Sequence, residues 1–381
     1  MAGMGNAEMI ENMEPKTNHL EKTKKYVYNN EKGKSEIMRI ELTKKKSRKS
    51  KNPVVKVKKG LIGYTEKYKY MGDMYDKTGS NLLKIEKKME KRSFIASEIC
   101  RMGNYTDVGE ADTSVRELLL ETIVKPSLLF NTETWLNITK EELRLIDKQH
   151  YNILKRVFEQ KEHVPYYGIL AETGYWPFSY VIVYKRLMFF HHLLHSEERR
   201  IARRITINQM NAETMSQRNW YAGVKEWLER LKLASDEKEI MNIEKSTWKK
   251  EVKEKIGKVV NSEVEMKTAE MKKLRFVQNH KQQEYIKVCR MEKVKSIMKV
   301  RLNMVEVKAN FKGKYPDIKC TACKQEEETT EHVIKCQEYK RLIGHSIKIE
   351  NTVEESIQKA DWLIEASEVF ERIEETRKWL L

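Results

Sequence analysis

The pattern of apolar and polar residues divides the chain into a strand-like first part and a helical remainder. Residues 37–42, 54–57 and 68–71 largely alternate between apolar and polar side chains, as strands do, and Gly72 marks a turn after the last of them. From about residue 81 onward, apolar residues recur every three or four positions, which predicts helices. We therefore expect an α+β fold that is mostly α, with a small N-terminal sheet.

Two segments give the most specific helix predictions. Thr139 and Glu142 have the spacing of a capping box, which places the start of a helix at residue 140. Residues 181–194 are apolar nearly all round, which predicts a buried helix. The buried face of the helix after Thr139 is expected to contain Leu143, Ile146, Ile153, Leu154 and Val157. Further helices are expected over residues 215–232, 236–258 and 263–300.

The histidines at the end of the apolar helix do not match a catalytic zinc motif. His191 and His195 are four residues apart, but a zinc protease requires H-E-x-x-H, with the glutamate as the base. The residue after His191 is His192 instead. We therefore interpret these histidines as residues at the edge of the core.

Cys320, Cys323, His332 and Cys336 form the most informative motif of the chain. They read C-x2-C-x8-H-x3-C and use three of the five cysteines. A C-x-x-C turn brings two thiolates to one ion, and the H-x3-C pair lies about one helical turn apart on one face. Four protein ligands leave no position for water, so the spacing predicts a structural zinc ion. The alternative is that these are ordinary buried cysteines beside a surface histidine.

The zinc segment has little apolar sequence of its own. Residues 319–338 are mostly polar and include four consecutive polar residues at 325–328. Zinc affinity in small modules amounts to about 10–16 kcal/mol and becomes folding free energy. Removal of the metal is therefore expected to unfold this segment.

The chain carries a formal net charge of +17 that is unevenly distributed. Residues 44–59 contain nine basic residues and no acidic one, whereas the sequence after residue 345 is rich in acidic residues. A local cationic run favours polyanions, so nucleic acid is the expected partner. The run has three interpretations: phosphate contact, a nuclear import signal or a solvated loop. Its basic side chains proposed to bind nucleic acid are Lys44, Lys45, Lys46, Arg48 and Lys49.

The N-terminal sequence lacks the apolar segment of a signal peptide, and no run approaches the roughly 18 apolar residues of a membrane span. We therefore expect an intracellular, nuclear protein with no membrane partner. In a reducing compartment, cysteine pairs bind metal more often than they form disulfides.

Several motifs follow one another in a fixed order along the chain. Residues 18–24 contain Asn18 and then Lys22-Thr23-Lys24; residues 68–73 read YKYMGD; residues 124–135 read VKPSLLFNTETW. Residues 172–187 contain Glu172 and Gly174, then Pro177 and Arg186-Leu187, and the zinc ligands come last. In sequence and order these motifs resemble the C-terminal half of the reverse transcriptase of a non-LTR (LINE-type) retrotransposon. Asn131 stands where that family usually has glycine, and Met71 where leucine is commoner.

The resemblance implies a polymerase-derived architecture. The expected organisation is a disordered segment (1–15), a palm remnant with the primer-grip turn (16–75), a helical thumb (76–205), a basic helical connector (206–310), a zinc knuckle (311–345) and an acidic C-terminal helix (346–381). It also implies that Tyr70, Met71 and Gly72 contact nucleic acid. The implied partners are RNA and DNA, including a primer–template duplex, and an intact copy of the polymerase.

The sequence lacks the aspartate motif on which the polymerase chemistry of the family depends. The family uses an aromatic-x-Asp-Asp motif to hold two metal ions, and this sequence contains no Asp-Asp pair. We therefore expect a truncated or domesticated, nucleic-acid-binding piece of such an enzyme, not catalytic by itself, and leave open whether a partner chain supplies the aspartates. The alternative is a helical protein-interaction module with a structural zinc site, which the acidic helix around Trp362, Leu363, Val369 and Phe370 motivates.

Overall fold

The computed structural model describes residues 36–38, 55–57, 60–70, 72–88, 113–136, 138–160, 163–212, 219–349 and 352–380. Several predictions concern residues outside these ranges. They are the disordered segment 1–15, the motif at 18–24, the basic side chains Lys44, Lys45, Lys46, Arg48 and Lys49, and Met71.

The strands form two small sheets. Strand β1 (Glu36–Ile37) pairs in parallel with β3 (Gly60–Tyr64), which pairs antiparallel with β2 (Val55–Val57). Strands β4 (Lys67–Tyr70) and β5 (Asp73–Asp76) form an antiparallel hairpin in which Tyr70 lies opposite Asp73. Gly72 has a φ of 88° in the turn between them, a backbone conformation that glycine adopts without a steric penalty.

Helices make up most of the rest of the described chain, so the predicted fold class is confirmed as mostly α with a small sheet. The first half contains α1 (residues 82–88), α2 (Thr113–Leu119), α3 (Lys125–Leu128), α4 (Lys140–Val157), α5 (Tyr166–Thr173), α6 (Phe178–Leu194), α7 (Ile201–Met210) and α8 (Trp220–Arg230). The second half contains α9 (Glu237–Met241), α10 (Lys245–Ala269), α11 (Glu284–Val288), α12 (Met291–Arg301), α13 (Thr330–Lys335), α14 (Gln337–Ile343), α15 (Val353–Ser356) and α16 (Ala360–Leu380). A π-helical turn at Leu120–Val124 joins α2 to α3.

The two specific helix predictions are confirmed. The Thr139 side chain accepts a hydrogen bond from the Glu142 N–H, and the Glu142 side chain accepts one from the Thr139 N–H, which completes the capping box of α4. Four of the five predicted core residues of α4 are buried, and Leu143 is half-buried. The apolar segment forms α6, which is buried over most of its length.

The predicted helix boundaries between residues 236 and 300 are wrong. Helix α10 continues through the expected break because its buried residues keep a spacing of four. These residues are Trp248, Val252, Ile256, Val260, Val264 and Thr268, and they form a stripe that packs against α5 and α6. The chain leaves the helix after Ala269 instead. There the N–H groups of Lys281 and Gln283 donate to the carbonyls of Ala171 and Glu172, which a helical segment could not do.

Helices α12 and α16 run side by side in the same direction. Lys293 pairs with Glu368 at 2.8 Å, and Ser296 and Lys299 donate to Glu371 and Glu374, each pair one step of three residues further along. The apolar face of α16 is buried and consists of Trp362, Leu363, Ala366, Val369, Phe370 and Ile373.

One hydrophobic core extends from Ile85 to Ile373. It includes Cys320 and Tyr339 of the predicted zinc segment, and α13 and α14 pack against α16. The zinc segment therefore has an apolar core after all, which distant residues supply. Among the described helices, each is too short or too polar to cross a bilayer.

Candidate metal centre and nucleic-acid interface

The structure brings the four predicted zinc ligands together. One ligand atom from each of Cys320, Cys323, His332 and Cys336 lies within 4.8 Å of the others. The Sγ atoms of Cys320 and Cys336 are 3.9 Å apart, and the Sγ of Cys323 is 3.4 Å from the Nε2 of His332. Cys320 and Cys336 are buried, and the other two are partly exposed.

These distances fit a tetrahedral zinc ion. Zn–S bonds of about 2.3 Å and Zn–N bonds of about 2.0–2.1 Å place neighbouring ligand atoms roughly 3.6–3.8 Å apart. The two observed distances bracket that range, so the four residues could hold a metal ion of this size.

Local backbone structure sets the position of each ligand. Lys319 and Glu327 form an antiparallel bridge, and the Cys320 N–H donates to the Glu326 carbonyl at 2.7 Å, which closes the loop that carries the first two cysteines. The Thr329 side chain caps α13 by accepting from the His332 N–H at 3.0 Å. Cys336 follows the last residue of α13, one turn after His332, so both side chains reach the same point.

Neighbouring groups orient the His332 ring and shift the pKa of two of the cysteines. The Nδ1 of His332 is 3.1 Å from a carboxylate oxygen of Glu326, which directs Nε2 toward the cysteines. Burial acts to raise the pKa of Cys323, but N–H groups of Glu326 and Gln325 donate to its sulfur and lower the pKa to about 6. Burial raises the pKa of Cys320 to about 12, so its thiolate needs a nearby cation.

A buried ion pair ties the metal-ligand loop to α16. Glu328 is fully buried; one of its carboxylate oxygens accepts from the Thr321 N–H at 2.5 Å, and the other accepts from the Lys308 N–H at 3.2 Å. The second oxygen also pairs with the Nε of Arg377 at 2.8 Å. Thr321 lies between the first two cysteines, so Glu328 fixes this loop from inside the core. Sequence reasoning missed both Glu328 and Arg377.

The apolar face of α16 is occupied within the chain. Trp362, Leu363, Val369 and Phe370 are each no more than 8% exposed. The observation that motivated a protein-interaction module therefore has a simpler explanation, which is packing against α12, α13 and α14.

The β4–β5 hairpin carries Tyr70 and Gly72, two of the residues that are predicted to contact nucleic acid. Tyr70 is 52% exposed, whereas Asp73 opposite it is 1% exposed. The Asp73 carboxylate pairs with Lys88 of α1 at 2.9 Å and accepts from the side-chain amide of Asn131 at 2.9 Å. The hairpin is thus held by α1 and by the loop after α3.

Aromatic rings lie close to the two buried lysines of α1, Lys84 and Lys88. The Lys84 ammonium lies 4.1 Å from the Tyr75 ring centroid and 5.6 Å from that of Trp135, and Lys88 lies 5.0 Å from Trp135. Burial lowers the pKa of Lys84 to about 8, and the charge of Asp73 opposes that shift. The buried residues of α1 and the turn before it are Asn81, Lys84, Ile85 and Lys88. They share one helical face, but three of the four are polar, so the apolar pattern of the sequence does not reveal their burial.

The motif at 172–187 has a structural role. Glu172 is fully buried and accepts hydrogen bonds from Arg301 at 2.6 Å and from the Tyr285 hydroxyl at 2.7 Å. Gly174 ends α5 with a φ of 69°, and a Cβ there would lie 2.6 Å from the backbone N of Gln282.

Arg186 closes the same motif and is also buried. It donates to the Trp135 carbonyl at 2.8 Å and to the Trp220 carbonyl at 3.1 Å. Burial lowers the pKa of Arg186 to about 10.

The histidines of α6 lie at the edge of the core, as predicted. His191 and His195 stack at 4.0 Å, and their Nε2 atoms are 2.9 Å and 3.2 Å from the carbonyls of Ile243 and Met241. Both rings therefore connect the C-terminal end of α6 to the end of α9 and to the segment that follows it.

Two places in the described part of the chain are candidate functional sites: the Cys3His cluster and the β4–β5 hairpin that the Asp73–Lys88 ion pair anchors. No protein-family model, curated protein or solved structure matches the chain.

Proposed function

We propose that this chain is the nucleic-acid-binding C-terminal part of a non-LTR retrotransposon reverse transcriptase. It holds RNA and DNA through basic surfaces and a structural zinc module. In this proposal β1–β5 belong to the palm, residues 76–205 to the helical thumb, residues 206–310 to the basic connector, and the Cys3His cluster to the zinc knuckle. The basic run at 44–49 serves phosphate contact or nuclear import.

The observation that carries the proposal is the contact between two of the sequence motifs. The hairpin YKYMGD and the segment VKPSLLFNTETW are joined through Asp73 and Asn131. In a polymerase, a primer-grip hairpin and the thumb must be held in a fixed relation, because both contact the same duplex. The link between the two motifs supports that arrangement.

Asn131, which stands where the family motif usually has glycine, adopts a backbone conformation that is typical of glycine. Asn131 has a φ of 60°, in the left-handed region where glycine is the usual residue and asparagine is among the best tolerated alternatives. The exchange therefore keeps the turn and adds the amide that binds Asp73.

Zinc is the ion we assign to the Cys3His cluster. Three thiolates and one imidazole are a typical donor set for structural zinc, and with no fifth protein group required the ion would have no open position for chemistry. When bound, the ion cross-links the loop at 320–323 to α13. The chain's contribution is then binding and positioning of nucleic acid, not catalysis by itself.

The proposal is tested by a salt titration of binding to a labelled RNA–DNA primer-template. Phosphate contacts release counterions, so the logarithm of the binding constant is expected to fall linearly with the logarithm of salt concentration. The zinc contribution is tested with a Cys320→Ser/Cys323→Ser variant, and Cys289→Ser, which lies outside the cluster, is the matched control.

We expect the binding constants of the wild-type protein and of Cys289→Ser to fall steeply with salt concentration. The double variant should bind the primer-template more weakly than either. Affinity that does not change with salt, or no binding by the wild-type protein, would contradict the proposed function. A primer extension assay with magnesium on the same sample tests the noncatalytic part, since extension by the purified chain would show polymerase activity.

A further inference from the structure

Two buried hydroxyls beside the Cys3His cluster lack a hydrogen-bond acceptor. Tyr339 is 0% exposed and Thr321 is 2% exposed, and neither hydroxyl forms a well-aligned hydrogen bond within the described part of the chain. A buried hydroxyl without a partner has given up its hydration and gained nothing in exchange. Most buried polar groups in proteins are hydrogen-bonded, so these two hydroxyls require an explanation.

The position of Tyr339 in α14 places its ring next to the buried cysteines. Cys336 is the N-cap of α14, and Tyr339 follows three residues later. Side chains three positions apart share one face of a helix, and an aromatic side chain on a helix leans back toward the N-terminus. The Tyr339 ring therefore extends toward Cys336, whose Sγ is 3.9 Å from that of Cys320.

The electrostatic surroundings of Tyr339 agree with this placement. Burial raises the pKa of Tyr339, and the negative charges of Glu328 and Cys320 raise it further. The Thr321 hydroxyl acts in the opposite direction, as a donor toward the Tyr339 oxygen. Because a donor toward its oxygen does not use its own proton, the Tyr339 hydroxyl keeps an O–H to donate, and it lies near a cysteine of the cluster.

The buried cysteines need donors when they bind a metal ion. The N–H groups of Cys323 and Ala322 donate to the sulfur of Cys320 and oppose the effect of burial on its pKa. The sulfur of Cys336 is 5% exposed, and its one polar contact within the described chain is with Cys320. Three thiolates exceed the charge of a divalent ion by one, and a buried negative charge is costly unless it accepts hydrogen bonds.

We propose that the Tyr339 hydroxyl is the hydrogen-bond donor for the buried thiolate pair Cys320 and Cys336, and that it sets how tightly the cluster holds zinc. Tyr339 is a positioning residue, since it acts on the ligands and not on the ion. The metal-binding form of cysteine is the thiolate, which accepts hydrogen bonds better than the thiol, so the hydroxyl gains its partner when metal is bound. The inference rests on the zinc assignment of the proposed function and adds a residue outside the four ligands.

The test compares the wild-type full chain with Tyr339→Phe, which removes the hydroxyl and keeps the ring. Tyr285→Phe is the matched control, because Tyr285 is 1% exposed and its hydroxyl donates to Glu172, which is not a ligand of the cluster. Competition with a chromogenic chelator measures the zinc affinity, and the cobalt-loaded proteins report the sulfur-to-metal charge-transfer band. Urea unfolding in excess chelator measures the stability without metal.

We expect Tyr339→Phe to bind zinc about tenfold more weakly than the wild-type protein. Its charge-transfer band should move to longer wavelength, because a thiolate that loses a hydrogen bond holds its electrons less tightly. Without metal, Tyr339→Phe should be at least as stable as the wild type, since the exchange removes a hydroxyl that has no acceptor. Tyr285→Phe should show the reverse pattern, with lower stability and an unchanged zinc affinity and spectrum.

A wild-type zinc affinity and cobalt spectrum in Tyr339→Phe would overturn the inference and leave the zinc assignment standing. The same conclusion follows if Tyr339→Phe fails to fold or is less stable than the wild type without metal, because the hydroxyl would then belong to the fold itself. A wild-type chain that binds neither zinc nor cobalt would overturn the zinc assignment together with the inference.

Discussion

Gly174 shows how one backbone position determines the join between two distant segments. It ends α5 in the left-handed region, and a Cβ at this position would lie 2.6 Å from the backbone N of Gln282 and 3.1 Å from the carbonyl carbon of Lys281. Any side chain at this position meets main-chain atoms, which cannot rotate away. Close packing therefore explains why glycine stands at this position of the motif at 172–187, without reference to any ligand.

We predict that Gly174→Ala destabilises the protein by about 2–4 kcal/mol, since backbone strain and overpacking add. Gly344→Ala is the matched control, because Gly344 has a similar φ of 63° and a Cβ there meets nothing within 4 Å. Urea unfolding should show a loss of only about 1–2 kcal/mol for the control. Equal losses in the two variants would contradict the close approach at Gly174.

His150 is a second residue whose environment has a measurable consequence. It is fully buried, stacks on Phe178 at 3.8 Å and has its Nδ1 2.9 Å from the Tyr166 hydroxyl. Burial lowers the pKa of His150 to about 3. The folded protein thus keeps this ring neutral where the unfolded chain, with a pKa of about 6.5, takes up a proton.

The folded-state pKa is depressed, so the stability contribution of His150 is lost as pH falls below 6.5 toward 3. Between pH 7 and pH 5 the loss is about 2 kcal/mol. We expect His150→Phe, which keeps a ring against Phe178, to lose correspondingly less stability over that range. Unfolding curves at pH 7, 6 and 5 measure the difference, and parallel pH profiles would mean that His150 is charged in the folded protein.

At the scale of elements, α16 completes the metal-binding segment. Its residue Arg377 is 4% exposed and pairs with Glu328, which in turn fixes the loop between the first two cysteines. Removing one partner of a buried ion pair leaves the other charge uncompensated, at a cost of about 3–5 kcal/mol.

We therefore predict that Arg377→Leu lowers the thermal stability and speeds metal release from the Cys3His cluster. Arg372→Leu is the control, since Arg372 is exposed on the same helix. A chromogenic chelator in excess reports the rate of release. If both variants release metal at the wild-type rate, α16 does not support the loop.

At the scale of the whole molecule, metal binding and the packing of α16 belong to one core. We predict that chelation increases hydrogen exchange in 319–343 and also in α16, because α13 and α14 pack against that helix. The stripe of α10 against α5 and α6 should stay protected. Exchange confined to 319–343 would contradict the shared core.

Local patterns in the sequence predicted the features that nearby residues determine. The spacing of Cys320, Cys323, His332 and Cys336 predicted the cluster, and Thr139 with Glu142 predicted the start of α4, because each motif lies within one short segment of the chain. Arg377, which pairs with Glu328, and Asn131, which binds Asp73, lie far away in sequence from these carboxylates, and neither carboxylate has a periodicity that reveals its burial. The break after α10 was missed for the same reason, since distant carbonyls of α5 determine it.

The pairing of Glu328 with Arg377 also affects how the chain folds while it is being synthesised. Synthesis proceeds from the N-terminus, so all four metal ligands leave the ribosome before Arg377 does. Until α16 follows, the Glu328 carboxylate lacks its cation and the apolar sides of α12, α13 and α14 lack their cover. A nascent chain at that stage exposes apolar surface of the kind that chaperones bind.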